Sequence, residues 1–289
     1  MISGNLLKES IELLVEAGID KDDARFDIEA LEDLLISGGE ADFRAGLLRR
    51  AKGEPVAYIT GRKWFYQEEY NVVPGVLIPR SDTEILVEAA LRYMGAIDFP
   101  MGDISKVPGS LVKDDYKIVD LCTGTGCVGI SVANALAKKN KKVQMLLGDI
   151  SPIAIDCAKS NVETSAINKD INVINIDVLN DDYEVLGKVD VVVSNPPYVT
   201  DSEMEQLPKD VKDYEPELAL RASNEGLIFY EVLAKKCQAV LNNNGALIVE
   251  HGYAQGESVR EIFVNNGYMD VCTIKDYGGN DRVTIGRKK

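Results

Sequence analysis

The chain has one histidine and one tryptophan in 289 residues, and its five cysteines form no C-x-x-C pair. A single histidine, His251, excludes a multi-histidine metal site and argues against a Ser-His-Asp hydrolase. An odd cysteine count without paired spacing reads as reduced, buried thiols in a cytoplasmic protein, not as a disulfide framework. No apolar run approaches eighteen residues, so no membrane-spanning helix is expected. The first ten residues show no basic segment followed by an apolar one, so no secretory signal is expected. Basic charge is also scarce: 32 Lys and Arg stand against 47 Asp and Glu, a formal net charge of −15. Coating duplex nucleic acid needs a basic face to neutralise phosphates, and this composition argues against that function.

What is present is an ordinary globular mixture, 45% hydrophobic and 27% charged, long enough for two domains. The first sixty residues read as helices. Leu6, Leu7, Ile11, Leu14 and Val15 recur at helical spacing until Gly18. Asp20 reads as an N-cap, with Asp22 and Asp23 suited to the first turn of the next helix. Phe26, Ile28, Leu31, Leu34 and Leu35 make its apolar face, and Ser37-Gly38-Gly39 ends it. A third helix carries Phe43, Leu47, Leu48 and Ala51 up to Gly53-Glu54-Pro55. Residues 62–79 switch to a β-hairpin pattern, with Trp64, Phe65, Tyr66 and Tyr70 expected to pack between domains. A helix from about Glu84 follows, and residues 95–115 have no periodicity and read as a loop.

From Tyr116 onward strands and helices alternate. Strands are expected at Lys117–Leu121, Val143–Leu147, Ile171–Ile176, Val189–Val193 and Ala246–Glu250. Tyr268–Ile274 and Arg282–Ile285 then form an antiparallel edge pair. Helices are expected at Gly126–Lys139, from Ser151-Pro152 to Val162, at Gly226–Leu241 and at Gly256–Val264. Short, nearly all-apolar strands in βα units define an α/β fold, a parallel sheet covered by helices on both faces.

Three strand ends carry chemistry. Asp120-Leu121-Cys122-Thr123-Gly124-Thr125-Gly126 sits at the first strand-to-helix turn, where glycines let the backbone approach a ligand at the positive end of a helix. With Gly129 it satisfies G-x-G-x-x-G, which by itself is a weak signal. Asp149, ending the second strand, is placed to accept from both hydroxyls of a ribose, whether of NAD or S-adenosylmethionine. Asp177, ending the third, is placed to accept from an adenine amino group. Asn195-Pro196-Pro197-Tyr198 leaves the fourth strand on the carboxyl edge of the sheet. Its prolines donate no N–H and stiffen the turn. The Asn195 oxygen and the Pro196 carbonyl can then accept from one planar NH₂ group, with the Tyr198 ring against its plane. Such a site suits a weakly nucleophilic carboxamide or exocyclic base amine attacking a methyl sulfonium, by positioning and electrostatics without a histidine base.

In this order the motifs resemble class I S-adenosylmethionine-dependent methyltransferases of the amino-methylating group. More narrowly, the chain is similar to the protein-(glutamine-N5) methyltransferases of the HemK/PrmC family that act on peptide chain release factors. The stretches that carry this run from Gly53-Glu54-Pro55 through Thr60-Gly61, Val76-Leu77-Ile78-Pro79-Arg80 and Thr83-Glu84 to Tyr214-Glu215-Pro216. They continue with Leu218-Ala219-Leu220, Glu225-Gly226-Leu227, Phe229-Tyr230, Glu250, Gly252-Tyr253, Gln255-Gly256 and Asp281-Arg282. The resemblance implies a Rossmann-like seven-stranded sheet with its last strand antiparallel, in a methyltransferase domain over 81–289. It also implies a helical substrate-recognition domain over 1–61 and a hairpin linker over 62–80. Cofactor contacts are implied for Cys122, Thr123, Gly124, Thr125, Gly126, Asp149, Asp177, Val178 and Asn195. The glutamine of a Gly-Gly-Gln motif would enter between Asn195, Pro196, Pro197 and Tyr198, with Asn195, Pro196 and Tyr198 catalytic. S-Adenosylmethionine is the implied cofactor, S-adenosylhomocysteine the product, and neither metal nor membrane is implied.

The chain departs from the family pattern at four places. Cys122 replaces a usual glycine, so a less open turn is expected there. Ser81 replaces a proline, the 95–115 loop is longer, and His251 replaces an aliphatic residue and is expected to be packed or hydrogen-bonded. Three alternatives use parts of the same pattern. An adenine-specific nucleic-acid methyltransferase would want a cationic track and base-flipping aromatics. A ribosomal-protein glutamine methyltransferase would share nearly every motif. An NAD-dependent oxidoreductase would leave Asn195-Pro196-Pro197-Tyr198 unexplained.

Overall fold

The computed structural model describes residues 2–97, 102–108, 111–165 and 167–289. Helix α1 spans Gly4–Glu16, capped by the Ser3 side chain. Helix α2 spans Lys21–Ala51, and the Asp20 carboxylate accepts from Asp22 N–H at 2.8 Å. Gly39, at φ 81° and ψ −172°, breaks α2 into two arms, so the expected helix end is a kink. Beyond Gly53-Glu54-Pro55, where the pattern places only a stop, a short helix α3 spans Val56–Thr60 with Pro55 at its N-cap. Leu14, Ile28, Leu31, Phe43 and Leu47 join Ile59 in a core of their own. Phe26 and Leu48, expected on the apolar faces, are instead 70% and 54% exposed.

Strands β1 (Arg62–Phe65) and β2 (Glu68–Asn71) form the hairpin, which is shorter than expected because residues 72–80 pair with no strand. Phe65 and Tyr70 turn inward and meet edge to face at 6.1 Å. Trp64, one residue off that period, points out and is 63% exposed. The Tyr70 hydroxyl lies 2.7 Å from Ser131 Oγ on α5 (Cys127–Lys138), pinning the hairpin to the sheet domain.

Helix α4 covers Glu84–Tyr93. Strands β3 (Asp115–Leu121), β4 (Lys142–Asp149), β5 (Ile171–Asn175) and β6 (Val189–Ser194) follow, with α5 after β3 and α6 (Pro152–Thr164) after β4. Beyond β6 come α7 (Asp201–Met204), α8 (Lys209–Tyr214), α9 (Ile228–Val240), β7 (Leu241–Glu250), α10 (Gly256–Asn265), β8 (Met269–Lys275) and β9 (Asp281–Arg287). The sheet order is β5-β4-β3-β6-β7-β9-β8. All pairs through β7 are parallel, whereas β9 runs antiparallel to both β7 and β8. The last strand is therefore inserted between its two predecessors, and β8 forms the edge. Alternate residues feed two cores: Ile118, Val191 and Val193 face α4 and α5, while Val119, Leu121 and Val192 face α9 and α10.

The long loop is partly packed. Ile104 and Val107 are buried, and the Tyr116 hydroxyl donates toward the carbonyls of Met94 and Leu111 at 3.0 and 2.9 Å. Residues 98–101 and 109–110 of that loop lie outside the described ones. Strand order reverses between β3 and β6, so their carboxyl ends open the crevice where ligands bind in such folds.

Candidate active site

Ser194 Oγ donates to the Leu121 carbonyl at 2.7 Å, clamping the ends of β6 and β3 together. The turn after β3 is built on Asp120. Its Oδ2 accepts from Thr123 Oγ1 at 2.7 Å and from Gly129 N–H at 3.0 Å. Full burial pushes the Asp120 carboxyl up to about 7. A Cβ on Gly129 would lie 2.3 Å from Leu147 Cδ2, so this glycine lets α5 pack on β4. Cys122 adopts φ 58°, the left-handed region that favours glycine. Cys122 lines the cavity.

Asp149, at the end of β4, accepts from Gly124 N–H through Oδ2 and from Ser151 N–H through Oδ1, both at 2.9 Å. Burial raises its pKa, and the two main-chain bonds oppose that rise. Each oxygen keeps a lone pair, so the fixed carboxylate can accept from two hydroxyls. Ser151 caps α6 with Pro152 in the first turn, as the sequence predicts. Asp177 accepts from Leu179 N–H and Asn180 N–H through Oδ1, and from Asn180 Nδ2 through Oδ2. The Asn180 bond leads the influences that hold its carboxyl below the ordinary value.

Asn195 Nδ2 donates to Thr83 Oγ1 at 3.2 Å, so the amide nitrogen makes the bond to the protein, and Asn195 lines the cavity. Thr83 ends the 3₁₀ turn Ser81–Thr83, the turn that begins at the Ser81 departure. Arg80 pairs with the buried Glu215, and Glu215 Oε2 accepts from Ile78 N–H at 3.1 Å, tying the segment after α8 to the linker. Together these elements enclose a cavity of about 400 Å³, within the roughly 300–1,000 Å³ of small-molecule sites.

Cys122, Thr123, Gly124, Thr125, Asp149, Asp177, Val178, Asn195 and Pro197 all line it. Gly126, Pro196 and Tyr198 do not. A Cβ on Gly126, at φ 82°, would sit 3.0 Å from Ile130 Cδ1, so it serves the turn's packing. Pro196 is buried, and Tyr198 is turned back, its hydroxyl 3.4 Å from Glu250 Oε1. The lining also includes residues assigned no role from sequence, among them Arg80, Thr83, Ile153, Leu218 and Phe229. Most of these lie in stretches that carry the family resemblance, and that was the available signal.

His251 is buried, with Nε2 at 2.9 Å from Thr284 Oγ1 and Nδ1 at 2.9 Å from the Gly252 carbonyl, a packed and bonded ring as expected. Among the described residues, no group of His, Cys, Asp and Glu side chains could hold a metal ion. Among the described residues, no helix is long and apolar enough to cross a membrane.

A parallel sheet with its last strand inserted antiparallel, a fixed carboxylate after β4 and an Asn-Pro-Pro-Tyr turn after β6 define a class I S-adenosylmethionine-dependent methyltransferase. Residues 108–210 match the Methyltransferase small domain family. The chain is 38% identical over 244 residues to the release factor glutamine methyltransferase of Haemophilus influenzae, covering 82% of this chain and 77% of that one. It is 37% identical over 236 residues to that of Clostridium acetobutylicum (82% and 76%), and 33% identical over 301 residues to that of Aliivibrio fischeri (98% and 96%). The chain belongs to the release factor glutamine methyltransferase family.

Proposed function

We infer that this protein methylates the side-chain amide nitrogen of the glutamine in the Gly-Gly-Gln motif of peptide chain release factors, using S-adenosylmethionine, in the cytoplasm. The observation that carries the reading is the Asn195 amide, anchored by its nitrogen to Thr83 in a turn that lines the cavity. The cavity fits the cofactor: its size suits an adenosyl group, and Asp149 has spare acceptor capacity beside the glycine turn.

When bound, S-adenosylmethionine supplies a sulfonium methyl, which leaves neutral S-adenosylhomocysteine on transfer. In this reading Asp149 holds the ribose hydroxyls. Asp177, whose Oδ2 takes one bond from Asn180, would accept from the adenine amine, and Val178 and Cys122, which line the cavity, would also hold the cofactor. Thr123, Gly124 and Thr125 shape the wall beside the methionine part, with Gly126 holding the turn. Asn195 Oδ1 and the Pro196 carbonyl accept the two N–H groups of the substrate amide. That aligns the amide nitrogen's lone pair with the methyl carbon and stabilises the positive charge that grows there. Pro197 keeps the turn rigid; Pro196 and Tyr198 do not line the cavity, and their role toward the amide rests on the family resemblance. The amide proton leaves to water after transfer.

The three units of chain have matching parts: residues 1–61 grip the release factor, 62–80 link, and 81–289 carry the chemistry. A net charge of −15 suits a protein substrate with a basic surface and disfavours a polyanion. The test is transfer of labelled methyl to an intact release factor, its Gln→Ala variant, a ribosomal protein and nucleic acid. Labelling of the intact factor alone is expected. Labelling of nucleic acid or of the ribosomal protein, with none of the factor, would overturn the reading.

A further inference from the structure

Behind the cavity wall that carries Asp177 stands a lysine that none of the sequence motifs includes. Lys236, on α9, donates from its ammonium to three main-chain carbonyls: Val178 at 3.2 Å, Leu179 at 2.9 Å and Asp181 at 2.7 Å. An ammonium has three N–H donors and no acceptor, so these bonds use all of its hydrogens. Its Nζ also lies 5.0 Å from the centroid of the buried Tyr183 ring. The Tyr183 hydroxyl donates to the Val178 carbonyl as well, at 3.1 Å.

Asp177 holds the same stretch from the opposite side. Its Oδ1 accepts from Leu179 N–H at 2.9 Å and from Asn180 N–H at 3.2 Å. In a trans peptide the C=O and the N–H point opposite ways. The peptide between Val178 and Leu179 therefore joins the Lys236 ammonium, through its carbonyl, to the Asp177 carboxylate, through its N–H. The peptide between Leu179 and Asn180 does the same. Two peptide dipoles thus lie between a positive and a negative group, and turning either peptide breaks a bond at both ends. The loop is closed by Asp177 N–H, which donates to Asp181 Oδ2 at 2.8 Å. Asp177, Val178, Leu179 and Asn180 all line the cavity, so Lys236 braces its wall from behind. With Oδ1 spent on two main-chain groups, Oδ2 takes only the Asn180 amide at 2.8 Å and can accept one donor more.

We propose that Lys236 is a positioning residue for S-adenosylmethionine, holding the carbonyls of the 178–181 loop so that Asp177 Oδ2 stays set for the 6-amino group of the adenine. The proposal rests on the reading that seats adenine at Asp177. Without the ammonium, the carbonyls turn to water, the opposing N–H groups leave Oδ1, and the carboxylate can rotate. Binding of the amine must then order it again. The Asn180 bond first, then the two main-chain bonds and the Lys236 charge, hold the Asp177 carboxyl below its ordinary value against the effect of burial. The carboxylate of Asp149 is fixed separately, by Gly124 and Ser151, so contacts to the ribose do not depend on the lysine. Lys236 therefore acts on recognition of the base, and its loss should be felt only by a ligand that carries the amine.

The experiment measures by calorimetry the affinity of the full chain for S-adenosylhomocysteine and for its analogue with hydrogen in place of the 6-amino group. Wild type, Lys236→Met, Asp177→Ala and the Asp177→Ala/Lys236→Met pair are compared. Wild type should favour the amino ligand by about 10- to 150-fold, the value of one hydrogen bond to a charged acceptor. Lys236→Met should weaken S-adenosylhomocysteine by about 10-fold and the analogue by less than about 2-fold, so that the preference shrinks. On the Asp177→Ala background the same change should cost less than about 2-fold for either ligand, because both residues act through one loop. On an intact release factor, Lys236→Met should raise KM for S-adenosylmethionine and leave kcat within about 3-fold of wild type, the mark of lost cofactor binding alone. Unchanged affinity in Lys236→Met, equal losses for the two ligands, or fully additive losses in the pair would overturn the proposal. If Lys236→Met does not fold, Lys236→Gln, whose shorter side chain cannot reach all three carbonyls, is measured in its place, and a wild-type preference there overturns it. A wild-type protein that binds both ligands equally would instead defeat the seating of adenine at Asp177 beneath it.

Discussion

Asn195 and Thr83 stand 112 residues apart in the chain, yet the Asn195 amide donates to the Thr83 hydroxyl at 3.2 Å. This bond joins the end of β6 to the turn before α4, so two walls of the cavity are set by one contact. It also fixes which end of the amide is spent on the protein and which is left for a substrate.

Removing that amide tests the arrangement. Asn195→Ala should lower kcat on the release factor by about 10²–10³, the usual cost of one preorganised partner of developing charge. Cofactor binding should survive, more weakly. Steady-state kinetics on the intact factor decide it, and near-normal turnover refutes the role.

Asp149 is already held by two main-chain N–H groups, so its removal subtracts ligand contacts from a turn that α6 and β3 still support. Asp149→Ala should weaken S-adenosylmethionine binding by about 1.5–3 kcal/mol, roughly 10- to 150-fold. Calorimetry with cofactor alone is the check, and unchanged affinity would remove Asp149 from the ribose site.

Glu250 should also register in the pH dependence of stability. Its folded value lies near 7 against an ordinary 4.5, so the folded protein binds the proton more tightly. The stabilisation is complete below about pH 4.5 and is lost as pH rises through about 7, on the order of 3 kcal/mol in full. Asp120 shifts in the same direction, so the informative quantity is the difference between wild type and Glu250→Gln. Urea unfolding at pH 5 and pH 8 should show the variant gaining on wild type at the higher pH. A difference independent of pH would show that Glu250 does not titrate in this window.

His251 acts in the opposite window. Burial lowers its pKa to about 4 from 6.5, so the neutral ring contributes stability above pH 6.5. That contribution is lost as pH falls through about 4, again on the order of 3 kcal/mol. His251→Gln should flatten the acid limb of the unfolding curve between those values. An unchanged acid limb would count against a neutral, bonded ring.

A release factor gripped by the helical region and the cavity together should be a far better substrate than its loop. A short Gly-Gly-Gln peptide is expected to have kcat/KM at least about 10-fold lower, because remote binding energy no longer positions the amide. Equal efficiency for peptide and intact factor would show that the cavity alone selects the substrate.

The sequence by itself determined what short-range physics controls. The Asp20 and Ser151 caps, the break at Gly39, the βα alternation and the carboxylates at the ends of β4 and β5 rest on backbone sterics and hydrogen bonds within a few residues, and all were legible. The Asn-Pro-Pro-Tyr turn was legible for the same reason: its prolines fix the local backbone wherever it lies. The tertiary structure alone decided which distant groups meet. Hydrophobic period assigns a residue to a face but not to a neighbour, so the insertion of β9 between β7 and β8 left no mark in the pattern. Phe26 and Leu48 fit a helical stripe, yet tertiary packing left them in solvent. Thr83 lies on no βα turn, and Glu250 looks like any acid at the end of a strand. Both reach the Asn195 turn only because α4 packs against the sheet, and that packing depends on the whole chain.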